Sequence, residues 1–257
     1  MAFGLIVIGD EILSGKRQDK HFARVVELLA ARGLKLAWVR YLGDDRPRLV
    51  QNLRETLAGD DVVFSCGGIG ATPDDHTRQA AAEARGVPLA LNPQARDLIA
   101  RHMAEIDQPL TPERLRMGEL PEGAALIPNP YNRIPGFSLG RHHFVPGFPV
   151  MAWPMIEWVL ETHCRDGFGA DREVEQGMLV TGLNEGTLTP LFDALEREFP
   201  GVHIWSLPRI DPARRFNYEI DLGVKGPAEL IDAAFDRLRA GVLALGGSVS
   251  DQARSVR

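Results

Sequence analysis

Apolar residues in the first third of the chain fall into short unbroken runs and into longer stretches with helical spacing. Residues 3–8 form a continuous apolar run, which is typical of a strand covered on both faces. Residues 46–57 carry apolar side chains on a single stripe, which predicts an amphipathic helix. The predicted order is strands at 3–8, 34–42 and 62–66, each followed by a helix, at 19–32, 46–57 and 75–85. This alternation predicts right-handed crossovers and a largely parallel sheet.

The pattern changes in the second half of the chain. Helices are predicted at 93–106, 112–120 and 149–163, and short strands, antiparallel at one edge, at 124–127, 137–139 and 142–145. A linker is predicted at 165–171. Beyond it, strands at 174–183, 202–210 and 216–224 and helices at 185–199 and 227–245 form a β-α-β-β-α unit. The sequence therefore predicts an α/β domain over 1–165, a small α+β domain over 172–246, and a flexible polar tail over 247–257.

Composition excludes several classes of protein. The 257 residues, 44% apolar and 25% charged, are typical of a soluble globular chain of one large or two ordinary domains. A net charge of −6 argues against a nucleic-acid or anionic-membrane partner. The two cysteines, Cys66 and Cys164, lack metal-binding spacing and favour a reducing cytoplasm. Cys66 is interpreted as a small buried hydrophobe, with a reactive thiol as the alternative. No signal peptide or membrane span is expected.

The most informative segment is 62–77, where an apolar strand enters a glycine-rich turn and then a predicted helix. Gly67, Gly68 and Gly70 leave backbone N–H groups free, and the helix adds the positive end of its dipole. Asp74 and Asp75 lie at the same place, where carboxylates repel a phosphate unless a cation lies between them. The segment therefore predicts a site for a phosphorylated ligand with a divalent metal.

A structural interpretation of the same segment remains open. Thr72 fits a helix N-cap, Pro73 the first helical position, and Asp75 the third residue of a capping box. The glycines favour ligand binding, because a helix cap requires none of them.

Polar residues also follow the other two predicted parallel strands. The first strand is followed by Gly9, Asp10 and Glu11, and the second by Asp44 and its neighbours. In a parallel sheet the ligand crevice lies beyond the carboxyl ends of the strands. The three strand ends therefore predict one crevice surrounded by carboxylates.

These motifs resemble a known family. Residues 9–15, 43–45 and 67–77 are similar to the molybdenum-cofactor biosynthesis (MoaB/Mog) domain, in the version found in the N-terminal part of CinA proteins. Residues 129–130, 135–137 and 146–149 match later stretches of that version. The resemblance covers about residues 3–165.

The resemblance implies a three-layer α/β/α domain. Relatives bind molybdopterin or an adenine nucleotide, some adenylate molybdopterin with magnesium and ATP, and CinA-type relatives hydrolyse ADP-ribose with a divalent metal. By motif position Asp44 and Asp75 match the family's functional aspartates, and Thr77 its following threonine. Residues 172–257 look similar to the KH-like second domain of CinA. Residues 172–257 lack the Gly-x-x-Gly loop with which KH domains bind RNA. Deamidation of nicotinamide mononucleotide is not expected of this chain.

Four positions depart from the family pattern. Ala71 replaces a proline, Asp19 and His21 replace asparagines, and Met151 replaces a glutamate. These changes affect groups that could contact a ribose or a metal, so they leave the substrate open.

Two functional hypotheses follow from the sequence. The first is a metal-assisted hydrolase of a nucleoside diphosphate compound such as ADP-ribose. The second is a non-catalytic module that binds a pterin or nucleotide, with molybdopterin adenylylation as a further alternative. Asp44 and Asp75 are the catalytic candidates, and Asp75 and Asp10 the metal ligands for Mg²⁺, Mn²⁺ or Co²⁺. The phosphate- or nucleotide-binding candidates are Gly9, Asp10, Glu11, Gly67, Gly68, Gly70, Thr72 and Thr77. A homo-oligomer, a dimer or trimer, is expected.

Overall fold

The structure is a computed structural model that describes residues 2–169, 174–209, 219–251 and 255–256. The chain divides into two compact units, Met1–Ala170 and Asp171–Arg257. Within the described ranges, no helix is both long and apolar enough to cross a membrane.

A six-stranded mixed sheet forms the centre of the first unit. Its strands are β1 (Phe3–Ile8), β2 (Leu36–Leu42), β3 (Val62–Cys66), β6 (Ala125–Ile127), β7 (Gly136–Leu139) and β8 (His142–Val145), arranged in the order β2-β1-β3-β8-β7-β6. The three pairs among β2, β1, β3 and β8 are parallel, and β7 and β6 complete the sheet in antiparallel pairs. A separate two-stranded sheet pairs β4 (Leu89–Leu91) with β5 (Glu119–Pro121). The predicted parallel core and antiparallel edge are both present.

Helices cover both faces of this sheet. They are α1 (Asp10–Leu13), α2 (His21–Ala30), α3 (Arg46–Leu57), α4 (Thr77–Arg85), α5 (Pro93–Glu105), α6 (Pro112–Leu115) and α7 (Pro149–His163). One core packs alternate residues of β1, such as Leu5, against α2 and α7. The other packs residues such as Ile6 against α3 and α4. Because β1 buries side chains on both faces, its sequence is a continuous apolar run. Helices on both faces of the sheet confirm the predicted three-layer α/β/α fold class.

Contacts in the structure explain why the helices predicted at 75–85 and 112–120 have other bounds. Helix α4 begins at Thr77 rather than at residue 75, so the prediction of a cap at Thr72 and a first turn at Pro73 is wrong. The predicted helix at 112–120 ends at Leu115, continues as a 3₁₀ turn at Arg116–Gly118 and becomes β5. Pairing with β4 overrides the local helical pattern there, and the sequence pattern does not predict β4 itself.

The second unit is a small antiparallel sheet with two helices. Its strands are β9 (Val174–Thr181), β10 (His203–Arg209), β11 (Glu219–Gly226), β12 (Ser248–Asp251) and β13 (Ser255–Val256), and its helices are α8 (Glu185–Glu198) and α9 (Ala228–Ala244). The sheet order is β10-β11-β9-β12, and β13 also pairs with β9. Met178, Leu222, Leu195 and Leu238 belong to its own buried core.

The end of the chain corrects one prediction. The sequence predicts a flexible tail over 247–257, but β12 pairs with β9 from Ser248 to Asp251. Val249 packs against the core, which explains why a mostly polar segment is held as an edge strand. Residues 170–171 of the predicted linker, 210 of one predicted strand and 216–218 of another lie outside the described residues.

Candidate functional site

A cavity of about 570 Å³ opens where β1, β2 and β3 end. Three acidic or glycine-rich connections line one part of it, and the loops before β7 and after β8 line the rest together with Met117 and Met151. The lining residues are Ile8, Gly9, Glu11, Arg17, Asp44, Gly67, Gly68, Ile69, Gly70, Ala71, Thr72, Asp74, Asp75, Met117, Asn129, Asn132, Ile134, Pro135, Pro146, Gly147, Phe148 and Met151. The structure therefore brings the three predicted strand ends into one cavity.

The glycine loop that follows β3 has a conformation that requires glycine. Gly67 and Gly68 have φ angles of 116° and 66°, which side chains of L-residues rarely adopt. A Cβ atom at Gly67 would collide with the carbonyl oxygen of Ile8, and one at Gly68 would collide with Oγ1 of Thr77. The loop therefore lies against both the neighbouring strand and the following helix.

Four consecutive N–H groups of this loop have no acceptor. The N–H of Gly67 donates to the carbonyl of Val145, and the N–H of Thr72 donates to Asp75. Between them, the N–H groups of residues 68–71 make no hydrogen bond to any residue that the structure describes. All four residues line the cavity. Unpaired neighbouring amides of this kind bind anions.

Thr77 and Arg78 hold the loop from behind. The Thr77 N–H donates to the Gly68 carbonyl and its hydroxyl to the Gly67 carbonyl, both at 3.0 Å. The Arg78 guanidinium donates to the carbonyls of Gly70, at 2.7 Å, of Glu119, at 3.0 Å, and of Arg116. Thr77 is fully buried and does not line the cavity, so its contact with the loop is structural. Sequence reasoning does not identify Arg78, because a charged residue in a helix is normally exposed.

Asp10 and Asp44 join the ends of β1 and β2. The N–H of Asp10 donates to Oδ2 of Asp44 at 2.9 Å, and the N–H of Asp44 donates to Oδ1 of Asp10 at 3.2 Å. Burial raises the pKa of Asp44, and the negative charges of Asp10, Glu11 and Asp74 also raise it. The hydrogen bond from the Asp10 N–H lowers this pKa but does not cancel the increase. Asp44 lines the cavity, whereas Asp10 is exposed outside it.

Asp75 closes a turn rather than a helix cap. Its Oδ2 accepts the N–H of Thr72 at 2.8 Å and also the Thr72 hydroxyl. Half of a capping box is therefore present, without the helix that it normally starts. Asp75 and Thr72 both line the cavity.

Other residues of the lining are apolar or carry amides. Several of them lie in stretches that match the family motifs, but the sequence assigns none of them a place in the site. The Asn129 amide donates to Oδ1 of Asn132 at 2.8 Å and to the Ile134 carbonyl at 3.0 Å. The Asn132 amide in turn contacts the sulfur of Met151 at 3.6 Å. Apolar side chains complete this wall: Met117, Ile134, Phe148 and Met151. Such a wall suits the flat ring of a ligand.

His21 and Asp19, two of the departures from the family pattern, support the cavity from outside. Nε2 of His21 lies 3.0 Å from the carbonyl oxygen of Gly147, and burial lowers the pKa of His21. The Asp19 carboxylate accepts the N–H groups of His21 and Phe22 and the hydroxyl of Tyr41. Asp19 therefore caps α2.

The remaining histidines and Cys66 do not reach the cavity. His76 occupies the N-cap position of α4 without a side-chain cap bond. His142 and His143 are buried on the two faces of β8 against Ser65 and Ser138 respectively, each at 2.8 Å. Burial raises the pKa of the Cys66 thiol, which agrees with a small buried hydrophobe.

The carboxylates lining the cavity suit a metal ion only if the ligand also binds that ion. No group of three histidines, cysteines or carboxylates is arranged to hold a metal among the residues that the structure describes. Within the same residues, Oδ1 of Asp44 and Oδ1 of Asp75 accept no hydrogen bond. Magnesium in nucleotide sites commonly takes one or two carboxylates together with phosphate oxygens. The donor set fits that mode.

The family described as probable molybdopterin binding domain matches residues 4–165. This chain belongs to that family. Its resemblance to MoaB/Mog and CinA proteins, predicted from the three motifs, is thereby confirmed. The match covers all but a few terminal residues of the α/β unit that contains the cavity.

Relatives extend the similarity beyond that unit. A CinA-like protein of Geobacter metallireducens is 33% identical over 209 residues, covering 79% of this chain and 51% of the relative. The chain thus spans about half the length of that relative. A protein of Aeropyrum pernix is 28% identical and matches over 96% of both chains. The crystal structure of the protein CinA with unknown function from Thermoplasma acidophilum aligns with 27% identity and a TM-score of 0.56, over 63% of this chain and 98% of that chain.

Proposed function

We propose that the cavity binds an organic diphosphate, namely a nucleoside diphosphate compound such as ADP-ribose, and hydrolyses its phosphoanhydride with a divalent metal. One observation carries the proposal: four consecutive loop residues whose N–H groups have no acceptor line the same cavity as Asp44 and Asp75. Amides alone describe an anion site, and carboxylates alone describe a cation site. Their combination supports a ligand that brings phosphate and metal together.

The residues divide the ligand between two walls. The N–H groups of residues 68–71 hold phosphate oxygens, and the wall that contains Phe148 and Met151 packs against the ring. The buried Arg78 adds a positive charge behind the loop without entering the cavity. This arrangement orients the phosphoanhydride beside the two aspartates.

Asp44 and Asp75 are the residues that would hold the metal, through their free Oδ1 atoms. A divalent ion held there would neutralise phosphate charge, polarise the phosphoryl group and lower the pKa of a water molecule. The Thr72 bonds fix the other oxygen of Asp75, and the Asp10 N–H fixes the other oxygen of Asp44. Both carboxylates are therefore pre-oriented.

The test incubates the purified chain with ADP-ribose and Mg²⁺, Mn²⁺ or Co²⁺ and measures the release of AMP by chromatography. We expect slow turnover that chelation by EDTA abolishes. Asp44→Asn and Asp75→Asn should each reduce turnover by about 100-fold or more, because the amide removes a charged metal ligand. Asp60→Asn is the matched control, since Asp60 is an exposed acid outside the cavity. AMP release that is independent of metal, or equal loss in all three variants, would contradict the proposal.

A second candidate is a binding module without catalysis. The observation that favours it is the lack of a three-residue metal cluster among the described residues. In that case ADP-ribose or a pterin would raise the melting temperature while no AMP appears. A ligand at about 100 times its dissociation constant adds about 2.7 kcal/mol of stability.

A further inference from the structure

Arg17 is the basic residue among the described residues that line the cavity. The same lining contains four acidic residues: Glu11, Asp44, Asp74 and Asp75. A positive side chain on such a rim either pairs with a neighbouring carboxylate or remains available to an anionic ligand. The contacts of Arg17 distinguish these two roles.

The backbone at Arg17 is fixed by the short helix α1. The Ser14 N–H donates to the Asp10 carbonyl at 2.9 Å, and the Gly15 N–H donates to the Ile12 carbonyl at 3.1 Å. The Arg17 N–H then donates to the Glu11 carbonyl at 2.9 Å. The chain therefore folds back over α1, and this fold holds Arg17 at the cavity.

The Arg17 guanidinium has no partner within the part of the chain that the structure describes. It makes no hydrogen bond or ion pair there, although Glu11 and three aspartates line the same cavity. Other arginines of the first unit do pair with glutamates: Arg24, Arg32, Arg40 and Arg46. Arg17 thus differs from these arginines in keeping its donors free beside a cavity.

We propose that Arg17 binds a second phosphate of the ligand, so that the site selects organic diphosphates over monophosphates. This inference rests on the proposed function of the same cavity. The loop amides lie in the connection after β3, whereas Arg17 lies in the connection after β1, so the two anion-binding groups come from different connections. A guanidinium offers parallel N–H donors that match two oxygens of one phosphate.

The test compares ADP, AMP and adenosine by calorimetric titration in the presence of Mg²⁺. Arg17→Gln should weaken ADP binding by at least about tenfold, because a hydrogen bond to a charged group is lost. AMP and adenosine should bind with their original affinities. Lys16→Gln is the matched control, since Lys16 is an exposed neighbouring cation that does not line the cavity.

Three outcomes overturn the assignment. One is an unchanged ADP affinity in Arg17→Gln, and the second is an equal loss in Lys16→Gln, which would indicate only long-range charge. The third is wild-type protein that binds ADP no better than AMP. The hydrolysis assay remains separate: if ADP binding depends on Arg17 but ADP-ribose yields no AMP, the hydrolase proposal fails and this one stands. If Arg17→Gln instead hydrolyses ADP-ribose with an unchanged KM, the hydrolase proposal stands and the assignment of Arg17 fails.

Discussion

Asp44 carries a charge that its surroundings disfavour. Burial and three acidic neighbours raise its pKa, so the folded state holds its ionised form less well than the unfolded state does. Above its folded-state pKa, the ionised carboxylate therefore lowers the stability of the protein. Below its unfolded-state pKa this cost disappears, because the group is protonated in both states.

Asp44→Asn should therefore stabilise the protein at about pH 7. The amide oxygen can still accept the N–H of Asp10, so only the charge is removed. We expect a gain in the free energy of unfolding of less than about 1 kcal/mol, because solvent screens the half-buried group. Urea denaturation measures the gain, which should vanish as the pH falls toward about 3.5. A loss of stability at neutral pH would contradict this prediction. It would show that a favourable interaction of the charged carboxylate outweighs burial and the repulsion from its acidic neighbours.

Gly68 offers a matched test of the loop conformation. Gly68 and Gly140 have similar positive φ angles, 66° and 59°, but only Gly68 faces a neighbouring atom, Oγ1 of Thr77. Gly140→Ala should cost about 1–2 kcal/mol from backbone strain alone. Gly68→Ala should cost about 1–3 kcal/mol more, because the loop must also move away from α4. Equal melting temperatures for the two variants would contradict close packing at the loop.

At this scale the sequence predicts about half of the cavity. Gly9, Glu11, Asp44 and the glycine loop are predicted because they follow strands whose parallel order can be read from the apolar pattern. Asn129 and Phe148 lie in stretches that match the family, but the sequence does not predict that they or Asn132 line the cavity, since all three lie in loops of the irregular half of the unit. Their approach depends on tertiary packing, which a local pattern does not contain.

Among the helices, α4 shows how one local motif can serve two structures. The spacing from Thr72 to Asp75 suits a capping box, and the bond from the Thr72 N–H to Asp75 is present. The helix nevertheless starts later, because the Thr77 N–H is bonded to the Gly68 carbonyl. The bond between the Thr77 N–H and the Gly68 carbonyl therefore sets the start of α4. The spacing of residues in the sequence does not predict this bond.

Asp19 anchors the start of α2 and gives a prediction for that helix. Asp19→Ala should cost about 1–2 kcal/mol, because the N–H groups of His21 and Phe22 lose their acceptor. Asp19→Asn should cost less than Asp19→Ala, since its one side-chain oxygen can still accept one of the two N–H groups. Burial, together with Asp19, raises the pKa of Tyr41 to about 12. Ultraviolet titration should therefore show a lower Tyr41 pKa in Asp19→Ala, and an unchanged value would contradict the bond.

The whole molecule should lose stability in mild acid. Burial lowers the pKa of His142 to about 3 and that of His143 to about 4, from an ordinary value of 6.5. The unfolded state therefore binds more protons between these values, so stability is complete above about pH 6.5 and falls below it. Urea unfolding midpoints measured between about pH 4 and pH 6.5 should therefore fall as the pH falls. The double variant Ser65→Ala with His142→Phe should reduce the slope to the part that His143 contributes, and an identical slope would show that His142 does not contribute.

Each unit has its own core, so the first should fold alone. The cores of residues 1–169 and of 174–251 share no residue. A fragment ending at residue 169 should melt cooperatively and should keep the ligand affinity of the full chain. Calorimetry of both chains tests this prediction. A fragment without a cooperative transition would show that the second unit is needed for folding.

At the scale of the whole chain, the sequence predicts the order of layers better than the ends of the sheets. Continuous apolar runs identify β1 and β3 because both faces are covered. The strand β12 reads as a flexible tail in the sequence, since edge strands carry polar residues on their open side. Short strands such as β4 give too few residues for a pattern to appear.

The unpaired amides of residues 68–71 have a consequence for experiment. An N–H group without an acceptor is not protected by an intramolecular bond, so these four positions should exchange their hydrogens with solvent rapidly in the free protein. Any anion that occupies them would slow four adjacent positions together. Deuterium uptake in a single peptic peptide would then identify a ligand by where it binds, whatever its ring, its metal or its fate.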